Sequence, residues 1–182
     1  MTILSGVPWP PTPLTTERIT LRPAEPRDRA ALIELLTSST VREHLGGPVT
    51  HSDAEAATAG PFGRVPGSFV IALDDGANAI GTVGVDHRDA ERPGHLDGRA
   101  DELEISYALL PGHWHQGYAS EALAMVLDWI SAVLDDDHVI AVTQSANAPS
   151  LRLLRRLGFT DVMTFTEFDA DQALLAYTLS RR

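Results

Sequence analysis

The chain has 182 residues, 43% of them hydrophobic and 21% charged, a composition that excludes an intrinsically disordered segment and fits one globular domain. It contains no cysteine, which excludes a disulfide framework, thiolate-bound zinc, an iron–sulfur cluster and a cysteine nucleophile. The net charge of −11 disfavours a nucleic-acid partner and suits either plain solubility or a cationic partner such as an amine or a basic peptide.

Residues 1–13 form a proline-rich stretch with Pro8, Pro10, Pro11 and Pro13, and a single domain is expected over 14–182. Ahead of Glu17 there is neither a basic start nor an apolar run, so no signal peptide is expected. The longest apolar run, Ala122 to Leu127, is far short of the roughly 20 residues of a membrane span. The expectation is a cytoplasmic protein with no membrane partner.

Arg18 to Arg22 alternates like a short strand, and Glu25-Pro26 places a proline at the first position of a helix reaching about Leu36, with Ala30, Ile33 and Leu36 on one face. Ser52-Asp53-Ala54-Glu55 has capping-box spacing for a second helix ending near Gly60-Pro61. Ser68 to Leu73 and Ala79 to Val85 read as a hairpin across Asp74-Asp75-Gly76. A polar loop, Asp86 to Asp101, comes next.

From Glu102 to Leu110 the chain alternates, with Leu103, Ile105, Tyr107 and Leu109 on one face and Glu104, Ser106 and Ala108 on the other. Ser120 to Leu134 is apolar almost all round, with Glu121, Asp128 and Ser131 as a narrow wet stripe, which predicts a central helix. Val139 to Thr143 is a short strand, Pro149 to Leu157 a helix stopped by Gly158, and Thr164 to Phe168 with Leu174 to Leu179 a closing hairpin. This order predicts a mixed α/β domain with a largely antiparallel sheet.

Chemistry starts where Pro111 to Ser120 joins the Glu104 strand to the central helix. Small residues before a helix leave its first amides free to meet an anion, and Gly117 and Ala119 supply that smallness, though a tight turn would use them equally. The histidines at 87, 95, 113 and 115 are scattered and predict solvated side chains rather than a metal site.

Glu104-Ile105-Ser106-Tyr107 followed by His113-Trp114-His115-Gln116-Gly117-Tyr118-Ala119-Ser120-Glu121-Ala122 resembles the acetyl-coenzyme A site of the GNAT N-acetyltransferases, most closely the branch that acetylates N-termini of ribosomal proteins. Thr16 to Pro23, Asn147 to Ser150 and Arg156 to Phe159 agree with the same family in order and spacing. The resemblance runs from about Leu14 to Leu179. It implies a sheet of about six to seven strands flanked by about four helices.

It further implies an acetyl-coenzyme A dependent transfer to a primary amine, either a protein N-terminus or a small molecule. Backbone amides of Gln116, Gly117, Tyr118, Ala119 and Ser120 would hold the pyrophosphate, with Trp114 and His115 beside it. The pantetheine arm would lie along Ala108, Leu109 and Leu110, with the amide near Leu109 polarising the thioester. Trp114 stands where many members have Gln or Arg, and His115 where many have Gly. Glu104 matches the family's general base, while a solvated strand carboxylate is the alternative. Ser150 matches the residue that reaches the coenzyme sulfur in the closer branch, although a serine beside Pro149 also suits an ordinary helix start. Leu154 occupies the position of a common tyrosine acid, so Ser150 or water would take that role. Asn147 would bridge backbone and coenzyme, or serve as a turn residue. Arg152 and Arg156, with Arg155, would sit near the 3′-phosphate. Without cysteine, direct attack in a ternary complex is expected. A non-catalytic acetyl-coenzyme A sensor is the alternative. The acceptor would enter past the first two helices and the 86–101 loop. A monomer or a homodimer is open, with Leu174 to Leu179 as a possible edge contact.

Overall fold

Ile19 and Leu21 point inward from β2 (Ile19–Arg22) and are fully buried, while the two-residue β1 (Leu14–Thr15) pairs along its outer side. The computed structural model describes residues 4, 7–9, 11–60, 65–73, 78–96, 99 and 101–179. After β2, a 3-10 turn over Pro26–Asp28 leads into α1 (Arg29–Thr37), with proline at the position where its missing N–H costs nothing. The helix turns Ala31 and Leu35 inward, not the expected Ala30, Ile33 and Leu36; Ala30 is exposed and the other two are half-buried. The small Ala31 lets α1 approach Val70 and Ala79 on the sheet, and that contact sets its phase.

The one-turn α2 (Ser39–Arg42) and α3 (His51–Ala57) complete this side. α3 is capped by Thr50, whose hydroxyl accepts the Asp53 amide at 3.1 Å, so Ser52 lies inside the helix and the anticipated Ser52–Glu55 box does not form. Thr50 has the extended backbone a cap needs. The helix ends before Gly60, and Pro61 lies outside the described residues.

Six more strands complete the sheet: β3 (Ser68–Leu73), β4 (Ala79–His87), β5 (Leu103–Leu109), β6 (His138–Gln144), β7 (Thr160–Glu167) and β8 (Ala170–Thr178). The order is β1-β2-β3-β4-β5-β6-β8-β7, and only β5 and β6 run parallel. The mixed, largely antiparallel sheet is therefore as expected, with β1 and α2 bringing the described elements to eight strands and five α-helices. The 74–76 turn between β3 and β4 lies outside the described residues, but those strands pair antiparallel.

The opposite face carries α4 (Tyr118–Val133) and α5 (Ala148–Arg156). Leu123, Val126 and Ile130 of α4 are fully buried with Ile19, Leu21, Phe69 and Leu103, and Leu151 and Leu154 of α5 join them. Each large apolar side chain so buried contributes about 1.5–3 kcal/mol, which makes α4 the central helix its all-round apolar pattern predicts. From the proline-rich stretch, Leu4, Val7 and Trp9 pack on the same core, with Trp9 edge-on to Phe69 at 5.1 Å.

β8 lies between β6 and β7, so Leu174 to Leu179 is no edge, contrary to the supposed dimer contact; β7 is the edge strand. The closing hairpin is also longer than expected. The first five residues of β7, 160–164, are all exposed, which erases there the alternation by which a strand is read; Phe165 and Glu167 turn inward. Its turn uses Phe168 and Asp169, both left-handed at φ 53° and 56°, the pair of conformations a type I′ hairpin requires.

Candidate active site

β5 and β6 are each seven residues long yet pair only at Leu103–Val139 and Glu104–Ile140. Beyond that point they diverge and leave a gap. β5 remains tied to β4 as far as Leu109 opposite Gly81, where a Cβ on residue 81 would strike the Ala108 carbonyl. The Leu110 amide donates to the Ile80 carbonyl at 2.9 Å. Because successive amides of a strand alternate sides, the Leu109 and Tyr107 amides face the gap. Trp114 Nε1 donates to the Leu109 carbonyl at 2.7 Å, so the indole braces the end of β5.

The loop after β5 delivers a set of free amides to the same place. Gly117, left-handed at φ 85°, is the residue before α4, a conformation glycine adopts without penalty. The first helical bond runs from the Glu121 amide to the Gly117 carbonyl at 3.1 Å. Among the described residues no protein acceptor takes the amides of Tyr118, Ala119 and Ser120, as the open end of a helix dictates. His115 is exposed and left-handed at φ 60°, a conformation that favours glycine over a residue with a side chain. Gln116 folds its side chain back onto the Gly112 carbonyl at 3.0 Å.

Arg18 holds this loop. Its Nη1 donates to the Gln116 carbonyl at 3.0 Å, its Nε to Glu121 Oε2 at 2.9 Å, and the guanidinium lies 4.9 Å from the Tyr118 ring centre. Thr16 donates its hydroxyl to the same Glu121 carboxylate. The Thr16-Glu17-Arg18 segment thus fastens β2 to the start of α4.

α5 begins beside the gap. Asn147 caps it, with Oδ1 accepting the Ser150 amide at 3.2 Å, and Tyr107 OH lies 2.7 Å from Ser150 Oγ. Burial pushes the Tyr107 phenol above its ordinary value of 10.0, opposed in part by its bond to Ser150. Arg152 and Arg156, one turn apart on α5, are exposed and make no ion pair among the described residues. Arg155 is committed elsewhere, to Asp161 at 2.8 Å.

Glu104 faces the other side of β5, and its Oε2 accepts from Arg88 Nη1 at 2.8 Å, with Arg92 Nη1 at 3.8 Å. The Arg88 side chain is 0% exposed against 19% for Glu104. Glu167 of β7 completes the network, accepting from Arg92 Nε and Nη2 at 2.8 and 2.9 Å and from Arg88 Nη2 at 3.4 Å. The Arg92 hydrogen bond holds the Glu167 carboxyl below its ordinary value, against burial. Much of the expected polar loop is therefore ordered: Arg88 and Arg92 tie it to β5 and β7. Between α2 and α3, His44 Nδ1 meets Gln144 Oε1 at 3.1 Å, bringing that connection to the end of β6.

The Leu109 backbone, the 114–120 loop, Asn147 and Ser150 lie around one gap, whereas the expected Ala108 and Leu110 turn their backbone groups to β4, because strand amides alternate sides, and Glu104 projects from the opposite face of β5. Sequence reasoning missed four contributors: Tyr107 as a partner of Ser150, Arg18 as the fastening of the loop, Arg88 as the partner of Glu104, and His44. Tyr107 reads as a core residue of an alternating strand, and the other three act across more than 15 residues of chain, so no local spacing announces them. Among the described residues no group of three His, Asp or Glu side chains could hold a metal, and no helix is long and apolar enough to cross a membrane.

A family model described as an acetyltransferase (GNAT) domain matches residues 18–160. The chain is 31% identical over 156 residues to the uncharacterized N-acetyltransferase p20 of Bacillus licheniformis, covering 80% of this chain and 81% of that one. Its fold is similar to that of a GNAT-family acetyltransferase from Bacillus anthracis, with TM-score 0.76, 21% identity, and 92% and 98% of the two chains covered. It is also similar to an acetyltransferase from Salmonella typhimurium that modifies the N-terminal serine of ribosomal protein L7/L12, with TM-score 0.68, 15% identity, and 91% and 97% covered. The family model spans most of the chain and the Bacillus licheniformis relative agrees with it, so the chain belongs to the GNAT acetyltransferases and is an N-acetyltransferase.

Proposed function

We propose that the protein transfers the acetyl group of acetyl-coenzyme A directly to a primary amine while both substrates are bound. The observation that carries this reading is the convergence of free backbone amides, from Leu109 and from the first turn of α4, on the gap between β5 and β6. Amides of 116–120 suit the pyrophosphate, with the exposed Arg152 and, one turn further along at the end of α5, Arg156 as the cations for the 3′-phosphate. The Leu109 amide supplies an oxyanion contact to the thioester carbonyl, and Ala108 to Leu110 line the pantetheine arm. Ser150 protonates the departing thiolate. Glu104 draws a proton from the acceptor ammonium through water, using Oε1, which has no protein partner among the described residues. With no cysteine in the chain, a cysteine acyl-enzyme has no nucleophile to form on.

For the acceptor, we propose a protein N-terminus, with a small primary amine as the other candidate. The likeness to the Salmonella enzyme supports the first, and the net charge of −11 suits either cationic acceptor by long-range attraction. One observation favours a second reading, a non-catalytic coenzyme-binding module: Glu104 already holds Arg88, as a purely structural carboxylate would. Release of free coenzyme A thiol separates the two, measured against peptides with free and blocked N-termini and against small amines. Release that requires a free N-terminus supports N-terminal transfer, release with small amines alone moves the acceptor to that class, and coenzyme binding without release supports the sensor.

A further inference from the structure

We propose that Tyr107 is a positioning residue for Ser150: its phenol donates to Ser150 Oγ and so leaves the serine's own proton free for the gap between β5 and β6. This rests on the acetyl-transfer reading above. A serine hydroxyl carries one proton and two lone pairs, so the direction of its bond to Tyr107, 2.7 Å long, decides what it has left to give. Were Ser150 the donor, its proton would be spent on the phenol. With Tyr107 as donor, Ser150 offers a proton and presents an oxygen already polarised by its neighbour, since hydrogen bonds in a chain strengthen one another.

Three constraints fix the arrangement. The Ser150 amide is held by Asn147 Oδ1 at 3.2 Å, the first turn of α5 limits its rotamers, and Tyr107 is packed on the main core from a central strand. Burial favours the protonated phenol over phenolate, so Tyr107 keeps the hydrogen it must donate. The nitrogen–carbon bond forms as the carbon–sulfur bond breaks, and the electron pair of that bond goes to sulfur. Ser150 delivers its proton to the thiolate and is reprotonated through water by the proton the new amide nitrogen loses. Tyr107 exchanges no proton in the net reaction; it sets where the serine proton points. Leu154 stands where the family resemblance places a common tyrosine acid, and Tyr107 reaches Ser150, one turn earlier on α5, from β5 instead.

The test uses the full chain with acetyl-coenzyme A and the acceptor on which the wild type turns over. Tyr107→Phe keeps the ring and is expected to lower kcat about three- to tenfold, the worth of one neutral hydrogen bond, with KM for acetyl-coenzyme A and calorimetric coenzyme A affinity unchanged. Ser150→Ala is expected to lose at least about a hundredfold, and the double variant to be no slower than Ser150→Ala. That non-additivity is what a merely structural tyrosine would not produce. Equal kcat in Tyr107→Phe and wild type, or a full tyrosine effect persisting in the Ser150→Ala background, overturns the proposal while leaving acetyl transfer intact. A wild-type chain that acetylates no acceptor overturns the transfer reading and the proposal with it. Should Tyr107→Phe not fold, 3-fluorotyrosine incorporation makes the phenol a stronger donor without deleting the contact. A change in kcat confined to the chain with Ser150 supports the proposal, and the same change in Ser150→Ala overturns it.

Discussion

His115 holds a left-handed backbone at φ 60°, a conformation that costs a side-chain-bearing residue roughly 1–2 kcal/mol. Replacing it by glycine is expected to stabilise the fold by about 0.5–1 kcal/mol after the entropy glycine loses, read as a higher urea midpoint at unchanged slope. A lower midpoint would mean that the imidazole makes a compensating contact. Glu104→Gln is expected to cut turnover about a hundredfold with coenzyme A affinity preserved. Intact turnover with only a lower unfolding midpoint would reduce Glu104 to a partner of Arg88. The alternation of its strand shows Glu104 on the polar face, whereas its role as base, like the place of His115 beside the phosphates, comes from the family resemblance alone. Arg88 was not legible, because the pairing spans 16 residues of chain and depends on how the 88–96 segment folds back.

At the level of elements, the start of α4 is fixed by contacts from β2. Arg18 is about half exposed, its partner Glu121 less so, at 49% and 19%. Since exposed ion pairs contribute about 0–1 kcal/mol, Arg18→Ala is expected to leave the unfolding midpoint almost unmoved. It releases the Gln116 carbonyl, however, and steady-state kinetics should show KM for acetyl-coenzyme A raised several-fold with kcat retained. A fall in kcat at constant KM would place Arg18 in the chemical step instead. Element identity was well legible wherever apolar residues are buried: β3, β5 and α4 lie close to their expected limits. The departures share a cause. The first five residues of β7 are exposed and give no buried face to read, α3 offered a second capping pattern next to the one used, and the phase of α1 follows from its contact with Val70.

Across the whole molecule, a buried ion pair links three parts of the chain. Arg22 donates to Asp28 at 2.7 and 3.0 Å, and Asp28, fully buried, also accepts the amides of Glu25 at 2.8 Å and Ala79 at 2.9 Å. Burial pushes the Asp28 carboxyl up, but Arg22 and the two amides outweigh it and hold it below the ordinary value of 3.8. A carboxyl depressed on folding contributes stability that is present above its unfolded value and lost as pH falls from there through the folded value. Asp28→Asn is therefore expected to cost about 3 kcal/mol at neutral pH, the penalty of stranding a buried partner, and to flatten the decline in stability below about pH 4. Denaturant titrations across pH check both; an unaltered acid limb would remove Asp28 as its source. The mixed sheet was legible from element order, whereas the strand order that places β8 inside β7 was not, because it is a long-range property with no local signature.

The most direct test of the account follows both protein and acceptor by mass spectrometry after mixing with acetyl-coenzyme A. Without acceptor, the protein should remain at its unmodified mass. With a peptide bearing a free N-terminus, or failing that a small primary amine, the acceptor should gain one acetyl group while the protein gains none. Acetylation of the protein chased into a later-added acceptor, or coenzyme binding with no acceptor modified, would contradict direct transfer across the gap between β5 and β6.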